Sequence, residues 1–578
     1  MNVGGLAPAV VAAALFIARH ALAEEPAPPT FGDETVGTGV VPGEVVVDLL
    51  DDATDADVAD LGARYGLALR DASGWGRTHD RIEIAEVDAA REDALLRALS
   101  GDGRVEHAEP MGLYRATFVP DDPLYESRQW HLAHVGAERA WSYSCGRGIT
   151  VAVVDTGIAC FDEGPFSRGT DLAGTRCRGG WNFVDDAPSA ADDHGHGTHV
   201  AGTIAQTTDN AMGTAGLAFC ATLMPVKVLS RGGFGSTASV AEGIRFAADN
   251  GAQVINLSLG GPLRSRILED AVDHALSRGA VVVAAAGNSG RSVGWPAAYP
   301  GVLAVSATDD RDRIAWFSSR GPEVGIAAPG VSVTQQTVCN GGKDRCEIFG
   351  TFNGTSMASP HVAGAVAMVE ALGVTEPSAV RRVLSVTAHP RGDAHLYGAG
   401  VLDAGAAAGR AFWGHVLLRG LALAGLMALL ARRVRRRGGR MRLGGAAWLG
   451  ALVTSVGLFP VAPLLGLRAP GRLHLLVELA SRPLGEWDLL LAGQALHRWL
   501  LLSSALPALG LTALAFANRR ARPIVGGVAM GSAALLAQLA WSGDVAFVFG
   551  PWLARIWTAG SALLCLWIAR IALDAKGA

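Results

Sequence analysis

Two kinds of hydrophobic patterning divide the chain. Up to about residue 410, apolar positions come in short runs of strand or helix length. After it they come in runs long enough to cross a bilayer. Glu44–Leu50, Arg81–Val87 and Arg104–Met111 have strand character and alternate with helical stretches over Asp55–Tyr65 and Ala89–Leu99, which predicts a small α+β unit. Ile149–Val154 and Thr222–Val228 predict strands. The β-branched and small residues of Val151–Val154 indicate a strand buried on both faces of a parallel sheet. Ahead of these, Leu6–Ala18 is apolar and is followed by Ala21-Leu22-Ala23, a small-residue cleavage pattern, and by acidic, Pro-rich residues. Residues 1–23 therefore read as a secretory leader and 24–40 as a linker. No Lys or Arg precedes the apolar run, and the alternative is an uncleaved anchor.

The tail has a different logic. Ala411–Ala431 is apolar except for His415 and Arg419. As a helix it would be about 31 Å long, enough to span a bilayer, with Arg419 able to snorkel outward. The arginine cluster from Arg432 to Arg442 directly after it reads as a cytoplasmic stop signal rather than a nucleic-acid patch. Further spans are expected at 446–467, 499–517, 523–541 and 552–572. Five spans put Arg432–Arg442, Arg519–Arg522 and Arg570–Lys576 on one side. They put residues 118–410 and the 468–498 loop on the other. Leu473–Ala480 and Leu489–Ala495 in that loop are apolar enough to lie in the interface plane.

Charge sharpens the division. The net charge of −5 conceals 18 Lys+Arg against 5 Asp+Glu in residues 411–578, and 31 against 49 in residues 1–410. Hydrophobic content of 50% with only 18% charged residues excludes a disordered chain or a coiled coil. The acidic half offers no basic face, which excludes a nucleic-acid binder. At 578 residues more than one domain is required. Six of the seven cysteines (145, 160, 177, 220, 339 and 346) fall between residues 140 and 350, an even number that suggests bridges in an exported domain. Cys565 sits alone in the apolar tail.

Three segments carry candidate chemistry. Asp155 ends the buried strand in Val153-Val154-Asp155-Thr156-Gly157, at the carboxyl edge where open α/β sheets place their sites. His196 lies in Asp193-His194-Gly195-His196-Gly197-Thr198-His199, where a loop enters a helix. Three histidines this close could suggest zinc. No carboxylate or Cys supplies the further spacing, so His194 and His199 read as structural or solvated. Ser356 lies in Gly354-Thr355-Ser356-Met357-Ala358-Ser359-Pro360, among small residues at the positive end of a helix.

In the order Asp, His, Ser, these segments resemble the catalytic domain of subtilisin-like serine proteases, the subtilases (S8 peptidases), over residues 118–410. The resemblance implies a parallel sheet flanked by helices, preceded by a small α+β propeptide domain over 41–117; the all-α transmembrane region over 411–578, read from its hydropathy and charge, departs from the family's usual secreted pattern. It puts the nucleophile at Ser356, the general base at His196 and the orienting carboxylate at Asp155. The side chain of Asn288, in Val281–Asn288, would join the Ser356 N–H as oxyanion donor. By position, Gly233-Phe234-Gly235 is similar to the substrate-pairing edge strand. Ser258-Leu259-Gly260 and Ala285-Ala286-Gly287 are similar to the S1 walls, and Gly294 to the floor. None of these is charged, so an apolar P1 residue is expected. Asp122, Asp171 and Asn210 match calcium-ligand positions. No cofactor is expected for catalysis itself.

The resemblance also implies bridges: Cys339 with Cys346 across a short loop, Cys145 with Cys220 before neighbouring parallel strands, and Cys160 with Cys177 completing the set. A propeptide implies self-cleavage near Thr117, before Phe118-Val119-Pro120. The function so implied is a membrane-tethered endopeptidase acting outside the cytoplasm on proteins or peptides, with the lipid bilayer as its other partner. Two alternatives stand beside it: an inactive protease fold that holds peptides, and a tail-centred membrane protein with an accessory protease domain.

Overall fold

The computed structural model describes residues 40–574, apart from 74–76, 78–79, 89–90, 113–117, 442 and 466–471. The expected leader, most of the linker, the expected processing region, Arg442 and Lys576 lie outside the described residues.

The described residues from Val40 to Gly112 form a unit of their own. Strands β1 (Val40–Leu49), β2 (Arg70–Asp71), β3 (Ile82–Glu86) and β4 (Val105–Gly112) make an antiparallel sheet in the order β2-β3-β1-β4, with helices α1 (Asp55–Tyr65) and α2 (Glu92–Leu99). Val45, Val47 and Leu49 point to one face of β1 and pack with Leu61, Leu95 and Leu99 from the helices. Thr54 and Asp57 cap α1 reciprocally. The α+β pattern read from the sequence is the one observed.

The second unit runs from Thr117. Its parallel sheet contains β5 (Thr150–Asp155), β6 (Arg176–Cys177), β7 (Trp181–Asn182), β8 (Thr222–Lys227), β9 (Val254–Leu257), β10 (Val281–Ala285), β11 (Leu303–Thr308) and β12 (Val324–Pro329). The order is β12-β11-β10-β9-β5-β8-β6, with β7 also beside β8. A separate hairpin joins β13 (Val333–Gln336) and β14 (Phe349–Phe352). Alternation along β5 sorts its side chains onto two cores. Val151 and Val153 pack with α3 (His196–Ala205) and α6 (Thr355–Ala371). Ala152 and Val154 pack with α4 (Thr237–Asp249) and α5 (Arg266–Ser277). Helices on both faces explain why Val151–Val154 carry no polar side chain. Helix α7 (Pro377–Thr387) follows α6.

The three expected bridges are present: Cys145–Cys220, Cys160–Cys177 and Cys339–Cys346. Cys145 and Cys220 precede β5 and β8, which pair in parallel from Thr150 and Thr222, so the strand starts lie side by side. Cys565 is free and buried.

Helix α8 (Ala404–Arg436) opens the tail. Asp403 caps it by accepting from Ala406 N–H at 2.7 Å. Ala404, Ala407, Ala408, Ala411 and Phe412 belong to the same core as Val362 and Val366 of α6, while Leu423, Met427, Leu430 and Val434 of the same helix belong to the tail's core. Among the described residues, three helices are long and apolar enough to cross a membrane: α8, α11 (Arg522–Ser542) and α12 (Pro551–Leu573). The expected spans at 446–467 and 499–517 differ. There, among the described residues, the structure has α9 (Gly445–Ser455) and α10 (Leu506–Ala515), of 11 and 10 residues, and a short 3-10 turn at Ala462–Leu465. Helices of that length rise only about 15–17 Å. Gly457, at φ 101°, turns the chain just after α9, and the segment beyond α9 carries Pro460 and Pro463, which interrupt helical hydrogen bonding. Gly531 lets α9 approach α11 closely, since a Cβ there would lie 2.2 Å from Ala451 O.

Candidate active site

The carboxyl ends of the central strands gather the expected residues. Asp155 is the last residue of β5 and fully buried. Its Oδ1 accepts from His196 Nδ1 at 2.8 Å and from Thr156 N–H at 2.7 Å. His196 is the first residue of α3, and Gly197 lets that helix reach the strand end, because a Cβ there would lie 2.1 Å from Gly157 O. Burial lowers the His196 pKa. The Asp155 carboxylate, by charge and hydrogen bond, and the charge of Asp192 raise it, and the net shift is upward from the ordinary value of 6.5.

Ser356 is the second residue of α6. Its Oγ donates to Ser258 O at 3.0 Å, and Ser258 Oγ donates back to Ser356 O at 2.8 Å. Among the hydrogen bonds of the described residues, none joins Ser356 Oγ to His196. Asn256 continues the link from β9 into α6: its Nδ2 donates to Ser258 Oγ at 2.9 Å, and its Oδ1 accepts from Ser359 Oγ at 2.7 Å.

Asn288 lies three residues beyond β10. Its Oδ1 accepts from both Thr355 N–H and Thr355 Oγ, each at 2.9 Å. A backbone N–H can only donate, so the atom facing Thr355 is the oxygen. The Nδ2 atom is therefore the one left free of Thr355; it lies beside Gly354, where a Cβ on that residue would come within 3.3 Å of it.

The segments expected to bind substrate lie in one neighbourhood. Gly294 N–H donates to Ala286 O at 2.9 Å, and Gly261 and Trp295 exchange backbone hydrogen bonds at 2.8 and 2.9 Å. These bonds hold Ala285–Gly287, Ser258–Gly260 and Gly294 together. Gly233-Phe234-Gly235 differs from the expected edge strand. It forms a turn closed by Ser230 N–H to Phe234 O at 2.9 Å and Gly233 N–H to Ser230 O at 2.8 Å. Gly233 sits at φ 78°, which bends the backbone away from extended geometry. Phe234 is 81% exposed.

Of the two other histidines, His194 is exposed and His199 is buried. The His199 Nε2 lies 3.1 Å from Val333 O and 3.0 Å from Gly350 O, and burial pushes its pKa down to about 3. Both fit the structural or solvated reading.

The calcium candidates converge on the 207–214 loop. Asp122 Oδ2 accepts from Asp209 N–H at 2.8 Å. Asp171 accepts from Asn210 Nδ2 and from Thr214 N–H, each at 2.9 Å. Burial, offset in part by hydrogen bonds, raises the pKa of Asp122 to about 6 and of Asp171 to about 7. Asp122 Oδ1 is buried without a partner among the described residues. Among the described residues no cluster of three or more His, Cys, Asp or Glu side chains gathers in metal-binding fashion. The two carboxylates suit a hard cation, with Asp122 Oδ1 the oxygen left over, whereas Asn210 turns its Nδ2 to Asp171 and its Oδ1 accepts from Met212 N–H at 3.1 Å.

Three positioning residues were missed from the sequence. Asp192 is buried and accepts from His194, Gly195 and Thr198 N–H groups and from the Thr156 and Thr198 hydroxyls. It fixes the loop into α3. Lys227 is buried and donates to Thr156 O, Leu229 O and Asp193 Oδ1. It ties the loops after β5 and β8 together. Thr355 orients Asn288. In sequence the first is one of two adjacent aspartates, the second a strand-end lysine and the third a small residue beside Ser356.

The model of the subtilase family matches residues 146–400. An alkaline protease from Shouchella clausii is 40% identical over 333 residues, 56% of this chain and 83% of its own length. Subtilisin Savinase from Lederbergia lenta is 44% identical over 285 residues, 49% of this chain and 99% of its own. Thermitase from Thermoactinomyces vulgaris is 40% identical, over 47% of this chain and 92% of its own. The chain belongs to the subtilase family and is a subtilisin-like serine endopeptidase with protein or peptide substrates.

Proposed function

We propose that the protein is a membrane-tethered endopeptidase whose catalytic domain lies outside the cytoplasm and whose reaction runs through Ser356, His196 and Asp155. The observation that carries the mechanism is the 2.8 Å hydrogen bond from His196 Nδ1 to buried Asp155. It fixes the tautomer that leaves Nε2 free to accept a proton. The Ser356 hydroxyl turns from Ser258 O to His196 as substrate binds, in keeping with the looser contacts of free enzymes. Oγ then attacks the peptide carbonyl while its proton passes to Nε2. The oxyanion is met by Asn288 Nδ2 and the Ser356 N–H. His196-H⁺ protonates the leaving amine. Water, activated by the same imidazole, attacks the acyl-enzyme, and the proton returns to Ser356 as the acid leaves. Ser258–Gly260, Ala285–Gly287 and Gly294 form an uncharged pocket suited to an apolar P1 residue.

Residues 41–117 act as an inhibitory propeptide cleaved near Thr117. Calcium held by Asp122, Asp171 and Asn210 would neutralise two buried carboxylates and brace the 207–214 loop. Helices α8, α11 and α12 anchor the chain, with Arg432–Arg437 in the cytoplasm and the catalytic domain across the membrane, and the stretches through α9 and α10 bring residues 478–498 back to the catalytic-domain side. Covalent labelling with a fluorophosphonate tests the chemistry: the full chain labels and Ser356→Ala does not. Equal labelling, or none in either, would favour an inactive peptide-binding fold. Reporter fusions after Gly409 and after Gly439 test the tether, and activity of both on one side of the membrane refutes it.

A further inference from the structure

The tail does not merely trail behind the catalytic domain. Three of its segments grip one pole of the sheet. Just before β5, Arg147 pairs with Glu478 at 2.9 Å, and Gly148 O accepts from Gln494 N–H at 3.3 Å. Just before β10, Arg498 Nη1 donates to Arg278 O at 2.6 Å. At the far end of α6, Arg482 Nη1 donates to Ala371 O at 2.8 Å, and the N–H groups of Thr375 and Glu376 donate to Asp544 O at 2.7 and 2.9 Å. Every contact falls at an amino end of a strand or at the carboxyl end of the serine helix. The active site occupies the opposite ends of the same elements: Asp155 closes β5, Asn288 follows β10 and Ser356 opens α6. Ser356 and Ala371 are 15 helical steps apart, a rise of about 22 Å.

The grip is rigid. Helix α8 passes from the catalytic core into the tail core as one helix of 33 residues. No loop separates the two parts. Buried Glu486 bridges Arg419 of α8 and Arg482, and Arg419 Nε donates to Gln538 Oε1 of α11 at 2.9 Å. Ion pairs removed from water in this way cost a great deal to leave half-made, so they hold one arrangement.

We infer that the catalytic cleft faces away from the bilayer and is held there. Its substrates are then flexible segments standing well clear of the membrane surface, such as exposed loops and tails of exported proteins. Juxtamembrane stalks and membrane-embedded segments are out of reach. This rests on the tethered-protease reading above.

The test uses the full chain reconstituted in vesicles with its catalytic domain outward. One susceptible apolar-P1 sequence is offered as a free peptide, and also fused to a transmembrane anchor through a disordered spacer of about five or about forty residues. Five extended residues reach at most about 18 Å. The free peptide and the long-spacer substrate should be cut at similar rates, and the short-spacer substrate more slowly by roughly tenfold or more. Cleavage of the short-spacer substrate within about twofold of the long one, with the free peptide also cut, overturns the orientation alone. Failure to cut the free peptide, or equal cutting by Ser356→Ala, overturns the protease reading and the orientation with it.

Discussion

Replacing Asn288 by alanine isolates the oxyanion contribution. The structure locks this amide from behind: two donors on Thr355, each at 2.9 Å, occupy Oδ1 and prevent the amide from flipping. The Nδ2 group is thus held in place before substrate arrives, and no reorganisation is needed as charge develops on the carbonyl oxygen. Loss of one such preorganised donor costs about 3–4 kcal/mol of transition-state stabilisation, a fall of roughly 10²–10³ in kcat. KM should change little, because the ground-state carbonyl gains much less from this contact than the oxyanion does. Thr355→Val separates orientation from donation. It removes the hydroxyl but keeps the backbone N–H on Oδ1, so kcat should fall by only about tenfold. Steady-state hydrolysis of an apolar-P1 peptide measures both. A loss below about tenfold for Asn288→Ala, or one expressed in KM with kcat intact, would refute the assignment.

Other expectations follow from the same geometry. The His196 pKa is raised, and the base must be neutral, so kcat/KM should fall as pH drops through a midpoint above 6.5; Asp155→Asn should shift that midpoint downward in whatever activity remains, and a midpoint at or below 6.5 in the intact enzyme would count against Asp155 as the partner. Cys145–Cys220 closes a loop of sequence separation 75, so Cys145→Ala with Cys220→Ala should cost about 4 kcal/mol in denaturant unfolding, while loss of Cys339–Cys346, with separation 7, should cost less. Gly531→Leu should force α9 from α11 and lower the melting temperature of the full chain in detergent, whereas Leu514→Ala, at an exposed position, should leave it unchanged.

The candidate site was legible in the sequence because three short segments in the order Asp155, His196, Ser356 together resemble the subtilases, where each segment alone is weak evidence. A buried strand must end before it can place Asp155, a helix start makes the turn that presents Ser356, and small residues beside both leave room for a partner. The α+β unit was legible for a different reason, since its apolar positions keep strand and helix periods over whole elements. The Cys145–Cys220 bridge was legible only through the resemblance, which implies that the strands after these two cysteines are parallel neighbours. What stayed hidden depended on distant partners. Which of Asp192 and Asp193 accepts from the loop entering α3 and which pairs with Lys227 is decided only when β5, β8 and that loop meet. The turn at Gly233–Gly235 and the short helices at 445–455 and 506–515 depend on local φ values and packing that composition does not record. The hold of Arg482, Arg498 and Asp544 on the catalytic domain joins residues more than a hundred positions apart. Hydropathy can mark the tail as apolar, but only the folded chain decides which of its few charges are buried against the back of the serine helix.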